Sequence, residues 1–121
     1  MFTDHVGLKV RDLDSSVKFY CENLEFEVES KYENEMSNIV FIKNENTVIE
    51  LICPKNGEYG QVPNGIISHL AFTVKDMAYY IDKLKKNNVS FVTDEPKKME
   101  SKQIIFFTGP DEERLEFVQY L

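Results

Sequence analysis

No apolar run in this sequence approaches the roughly 20 residues that a membrane-spanning helix needs, so no span is expected. The opening MFTDHVGLKV has no basic flank leading into an apolar stretch, so a secretory leader is not expected either. The two cysteines, Cys21 and Cys53, form no Cys-x-x-Cys pair, which argues against a zinc knuckle and leaves two small buried thiols as the expectation. Basic residues are in deficit: Lys+Arg number 14 against Asp+Glu 21, a net charge of -7. That balance counts against a nucleic-acid partner and favours a soluble, acidic, cytoplasmic protein. Histidine is scarce too, with His5 and His69 alone.

What is present suffices for a folded domain. Hydrophobic residues make up 42% of 121 positions, which excludes a disordered chain and fits one domain over residues 1–121. Val6, Leu8 and Val10 alternate with His5, Gly7 and Lys9, which predicts a strand within residues 3–10. Asp12 then offers an N-cap, and Leu13, Val17, Tyr20 and Leu24 follow at helical spacing. FEVES, SNIVFI and TVIELIC read as three more strands, with the polar turn KNEN between the last two. PKNGEYGQVPNG, rich in Pro and Gly, is the one convincing linker. The order then restarts. A strand is expected over 67–74, an N-cap at Asp76, a helix with Met77, Ile81 and Leu84 inward, and strands in VSFVT, QIIFFTG and RLEFVQ.

The restart is a repeat. His5 and His69 stand 64 residues apart, and Val10–Val74, Asp12–Asp76, Leu13–Met77 and Val17–Ile81 keep that spacing. VIELI also matches RLEFV, pairing Glu50 with Glu116 at a spacing of 66. Matching His and Glu positions make internal duplication the better reading than chance likeness of two amphipathic units. Each half is then strand, helix and three strands. One small sheet leaves a bare face, so each half needs a partner sheet.

Glu50 and Glu116 lie inside otherwise apolar strands, where a carboxylate is costly to bury without a positive partner. A lone His at a strand start, or a lone Glu within a strand, is ordinarily a surface residue; here the duplication carries the weight. Two imidazoles and two carboxylates at duplicated places suggest one shared divalent cation. The mixed N/O set suits nickel, zinc, cobalt, manganese or iron, whereas calcium prefers oxygen alone.

On these residues the chain resembles the vicinal oxygen chelate superfamily, which also holds the glyoxalases, bleomycin-resistance proteins and extradiol dioxygenases. DHVGLKVRDLDSSVKFYCENL is similar to its first module, ISHLAFTVKDM to the opening of its second, and FFTGPDEERLEFVQ to its final turn and strand. The resemblance spans essentially the whole chain. It implies an α+β fold of two tandem βαβββ modules forming a curved mixed sheet, with modules over 1–55 and 67–121 and a linker over 56–66. In length and ligand set the chain resembles metal-dependent glyoxalase I (lactoylglutathione lyase). Metal ligands are then implied at His5, Glu50, His69 and Glu116. The implied reaction converts the hemithioacetal of methylglyoxal and a thiol to a hydroxyacyl thioester through an enediolate, with Glu116 as first base and Glu50 as second. Lys9 stands where that branch often has arginine, and Lys98 closes a Pro-x-Lys; both are implied substrate contacts. Pro54 replaces a common asparagine and GPDEER replaces a DPDG turn, so the resemblance does not extend to the identity of the thiol. A homodimer is implied, with a small-molecule substrate and no nucleic-acid or membrane partner. Two alternatives stand beside this. A methylmalonyl-CoA epimerase-like enzyme commonly has Gln at the place of Glu50. A bleomycin-resistance-type binding protein would lack the ligands.

Overall fold

The computed structural model describes residues 3–57, 67 and 69–121. Most of the expected linker, residues 58–66, lies outside the described residues. The chain divides into two compact units, Met1–Gln61 and Val62–Leu121. The first runs β1 (Val6–Lys9), α1 (Leu13–Leu24), β2 (Glu27–Glu33), β3 (Ser37–Asn44) and β4 (Thr47–Pro54). The second runs β5 (Leu70–Thr73), α2 (Met77–Lys86), β6 (Lys97–Lys98), β7 (Lys102–Thr108) and β8 (Arg114–Tyr120). This is the tandem βαβββ order of the expected α+β class. Each unit forms one mixed four-stranded sheet, ordered β1-β4-β3-β2 and β5-β8-β7-β6. The first strand of each unit pairs parallel to its last, and the other neighbours are antiparallel.

Local chemistry explains the boundaries. Asp12 and Asp76 cap the two helices by accepting from Ser15 N and Tyr79 N, each at 3.1 Å. Helix α1 ends at Glu25, which adopts the left-handed conformation (φ 60) and whose N–H is directed to Tyr20 O. Asn44 Nδ2 donates to Leu24 O at 2.6 Å, satisfying another carbonyl of the last turn. A two-residue turn joins β3 to β4, with Asn44 facing Thr47 and Glu45 at φ 48. The β7–β8 turn is longer, five residues between Thr108 and Arg114, and is held by its own hydrogen bonds. Gly109 N donates to Glu113 O, Glu112 N to Gly109 O, and Asp111 N to the Glu113 carboxylate, so a Cβ at Gly109 would fall inside that carboxylate. These two turns set the registers that place Phe41 opposite Glu50 and Phe106 opposite Glu116.

Each helix covers one face of its own sheet. In the first unit Val10, Tyr20, Ile42, Ile49 and Leu51 are fully buried, and Tyr20 meets Phe26 edge-on at 5.7 Å. In the second, Met77, Leu84, Ile105, Phe107, Leu115 and Phe117 fill the core, with Phe107 and Phe117 centroids 4.5 Å apart. Each such side chain contributes about 1.5–3 kcal/mol by leaving water. Tyr20, Leu24, Met77 and Leu84 of the expected stripes are buried, whereas Leu13, Val17 and Ile81 are half-buried. The start of α1 opens on a cleft of about 520 Å³ lined by Leu13, Val17, Ile39 and Val40 among others, which leaves the first two only partly covered. Ser16 and Asn23 take buried places on the helix instead.

Two expectations need correction. Residues 89–93 are not a strand: Phe91 makes a single bridge to Phe107, and pairing resumes at Lys97 opposite Ile104. Three surplus residues bulge from the edge between those contacts, so a continuous ladder cannot form there. The cysteines are half-buried, and Cys53 Sγ donates to Arg11 O at 3.4 Å.

Candidate active site

The sheet face turned away from each helix carries the candidate residues. On β4, Ile49 and Leu51 are fully buried against the helix side, so alternation sends Glu50 to the other face, as expected. Gly7 of β1 pairs with Glu50 and Phe41 of β3 flanks it from the other side. His5, just before β1, brings Nε2 to 3.5 Å from Glu50 Oε1. The second unit repeats this. Ala71 and Phe106 flank Glu116, and His69 Nε2 lies 3.1 Å from Glu116 Oε2. Each histidine also meets its phenylalanine edge-on, His5 with Phe41 at 5.5 Å and His69 with Phe106 at 5.4 Å. The duplicated unit is therefore a triad of His, Glu and Phe, beside a Gly or Ala on the first strand of the unit.

The halves differ in what surrounds the triad. His5 Nδ1 donates to Asp4 Oδ2 at 2.7 Å, which fixes the ring and presents Nε2 toward Glu50. That hydrogen bond raises the His5 pKa above its ordinary value; partial burial opposes it and the charge of Glu50 assists it. Tyr32 stacks on Phe41 at 5.8 Å and donates its hydroxyl to Glu50 Oε2 at 3.4 Å. Glu50 thus meets an imidazole through one oxygen and a phenol through the other. Glu116 is more deeply set, at 7% exposure.

The donor atoms suit a metal ion. Two neighbouring ligands at about 2.1 Å from an ion are separated by roughly 3.0 Å in octahedral and roughly 3.4 Å in tetrahedral geometry. The observed 3.1 and 3.5 Å separations match those values. Each pair can therefore supply two adjacent places in a coordination shell. Each unit contributes two of the four expected ligands, and among the described residues no group of three or more His, Cys, Asp or Glu side chains is gathered.

The expected substrate contacts fall unevenly. Lys9 lies on the alternation face of His5, opposite Ile52, and is exposed. Lys98 pairs with Gln103, whose amide bonds to Gln119 on the α2 side of the sheet. Its neighbour Lys97 pairs with Ile104 and so shares the face of Phe106 and Glu116. Tyr32, Phe41 and Phe106 escaped sequence reasoning. Counting outward from the KNEN turn would have set Phe41 opposite Glu50.

Fold and site together define a tandem βαβββ protein with one His–Glu pair on each module. A family model described as the glyoxalase/bleomycin resistance protein/dioxygenase superfamily matches residues 3–117, and the chain belongs to that family, the vicinal oxygen chelate superfamily. It is 32% identical to the Bacillus subtilis (strain 168) protein named "Uncharacterized protein YwbC", over 96% of this chain and 95% of the relative. It is 30% identical to a "Probable lactoylglutathione lyase" of Synechocystis sp. (strain ATCC 27184 / PCC 6803 / Kazusa), over 98% and 95% of the two chains. A solved glyoxylase/bleomycin resistance protein/dioxygenase domain from Frankia sp. EAN1pec shares the fold, with a TM-score of 0.86 at 22% identity over 100% of this chain and 93% of that one. No helix among the described residues is long and apolar enough to cross a membrane.

Proposed function

We propose that His5, Glu50, His69 and Glu116 hold one divalent cation (nickel, zinc, cobalt, manganese or iron), and that the protein is a glyoxalase I-like lyase acting on the hemithioacetal of methylglyoxal and a thiol. The observation that carries this reading is the twofold occurrence of one His–Glu pair, at ligand spacing, beside corresponding phenylalanines. A cation bound there would supply positive charge beside the substrate's oxygens and so acidify the neighbouring C–H.

Glu116 is the first choice for the base. It is nearly buried, so water competes little for the proton it carries. Glu116 takes the proton from the carbon bearing sulfur, and the electron pair left behind forms the C=C of an enediolate. The same carboxyl returns the proton to the adjacent carbon, the hydroxyl proton of the sulfur-bearing carbon passes to the neighbouring oxygen, and the hydroxyacyl thioester results. Substrate and product are isomers, so no oxidant or reductant enters. Glu50 is the corresponding second base, held by the Tyr32 hydroxyl. Lys9 is the candidate for an anionic end of the thiol compound; Lys98, the other expected contact, faces the α2 side of its sheet, and its neighbour Lys97 takes that role on the face of Glu116. A homodimer in the cytoplasm belongs to the same proposal.

The test offers methylglyoxal with several thiols to nickel- or zinc-loaded protein and follows thioester formation. Turnover with one thiol is expected. Its absence with every thiol removes the lyase reading, and acyl-CoA epimerisation with solvent deuterium uptake would put the epimerase alternative in its place.

A further inference from the structure

Phe106 has a second neighbour. The guanidinium carbon of Arg114 stands 4.9 Å from the centroid of this ring, which His69 meets edge-on. Arg114 precedes Glu116 by two residues on β8, so strand alternation puts both on one face. Imidazole, carboxylate and guanidinium therefore share one aromatic wall. Arg114 is exposed, and in a chain of net charge -7 no ion pair or hydrogen bond among the described residues engages its guanidinium. Its donors are left for something else.

The place of Arg114 in the repeat sharpens this. At the spacing that relates Glu50 to Glu116, its counterpart is Val48. The guanidinium is thus no part of the duplicated set, and whatever it does belongs to one half alone. Metal holding is shared by the halves; discrimination between substrates need not be. Stacking on Phe106 already restricts the arginine, so less freedom is lost when its planar fork meets an oxyanion. Two residues of strand span roughly 6.6 Å, so a molecule of a few carbons reaches from Glu116 to Arg114.

We propose that Arg114 is a substrate-recognition residue for an oxyanion, carboxylate or phosphate/phosphonate, so that the favoured substrates carry such a group within a few carbons of the reacting carbon. This rests on the reading that the His69–Glu116 pair helps hold a cation, and it names the substrate class of that site.

The probes are hydroxamates of matched length, chelating mimics of an enediolate, with a neutral, a carboxylate or a phosphonate end. They are titrated calorimetrically into nickel-loaded wild type, Arg114→Gln and Arg114→Lys. In wild type an anionic probe is expected to bind at least roughly tenfold tighter than the neutral one, as a charge-assisted bidentate contact gives. The ratio falls to near one in Arg114→Gln and to an intermediate value in Arg114→Lys. The carboxylate and phosphonate arms show which oxyanion is preferred. A ratio near one in wild type, or one unchanged in Arg114→Gln, overturns the proposal. A second readout needs no metal. The arginines of the chain are Arg11 and Arg114, so the Nε–Hε resonance lost in Arg114→Lys identifies Arg114. Methylphosphonate or acetate should move that resonance saturably in metal-free protein, and no movement overturns the anion site. If no hydroxamate binds loaded wild type, the metal reading fails by itself and the resonance titration decides on Arg114.

Discussion

Glu116→Gln separates what the carboxylate does for the fold from what it does for a cation. Glu116 is 7% exposed and its Oε2 lies 3.1 Å from His69 Nε2. Glutamine keeps the volume and removes the charge. In metal-free protein the change relieves the cost of holding a carboxylate away from water and forfeits the attraction to His69. These oppose each other, and the net change is expected to stay within about 1 kcal/mol. With metal the balance is one-sided. Losing groups that only orient a ligand already weakens metal binding by roughly 10–100-fold, so losing an anionic ligand should cost at least about 100-fold. At metal concentrations well above both dissociation constants, that is about 2.7 kcal/mol less metal-induced stabilisation. For a chain of this size it corresponds to roughly 10 °C in Tm. Thermal unfolding followed by circular dichroism, with and without excess nickel or zinc, reads both quantities. Equal metal-induced rises in Tm for wild type and Glu116→Gln would refute the ligand assignment.

Three further outcomes are expected. Tyr32→Phe keeps the stack on Phe41 and removes the hydroxyl on Glu50; at 3.4 Å and half-exposed, that bond is worth about 0.5–1 kcal/mol, so metal affinity should fall by roughly two- to fivefold, read by calorimetric titration. Glu25→Gly relieves a left-handed backbone at the C-cap of α1 and should stabilise the protein by about 0.5–1 kcal/mol in urea unfolding. Asp4→Asn should lower the His5 pKa toward its ordinary value, read from the imidazole resonances of metal-free protein. The sign of the linkage follows: a folded-state pKa raised above the unfolded value stabilises the protein below the unfolded pKa, and the gain disappears as pH rises through the folded pKa.

The sequence displayed the metal-ligand candidates because the relevant signals are local or periodic. Ile49 and Leu51 bracket Glu50, so alternation alone gives its face, and nearly equal spacings, 64 and 66 residues, tie His5 to His69 and Glu50 to Glu116. The aromatic walls were hidden because IVFI and IIFF are continuous apolar runs, in which Phe41 and Phe106 differ from their neighbours only through register with β4 and β8. Tyr32 was missed for another reason. FEVES appeared to end its strand at Ser30, yet β2 passes a register shift between Val28 and Ser30 and continues to Glu33, carrying Tyr32 to the Phe41 ring. The ambiguity between Lys97 and Lys98 has the same origin. Adjacent residues in an edge strand face opposite ways, and the pairing partner alone tells them apart.

The central claim is one cation shared by two His–Glu pairs. Native mass spectrometry of nickel- or zinc-loaded protein, counting ions per chain for wild type and for His5→Ala and His69→Ala, tests it most directly. The account requires one ion per wild-type chain, with binding weakened by either substitution. Two ions per wild-type chain, with each substitution removing one of them, would show two independent half-sites and contradict it.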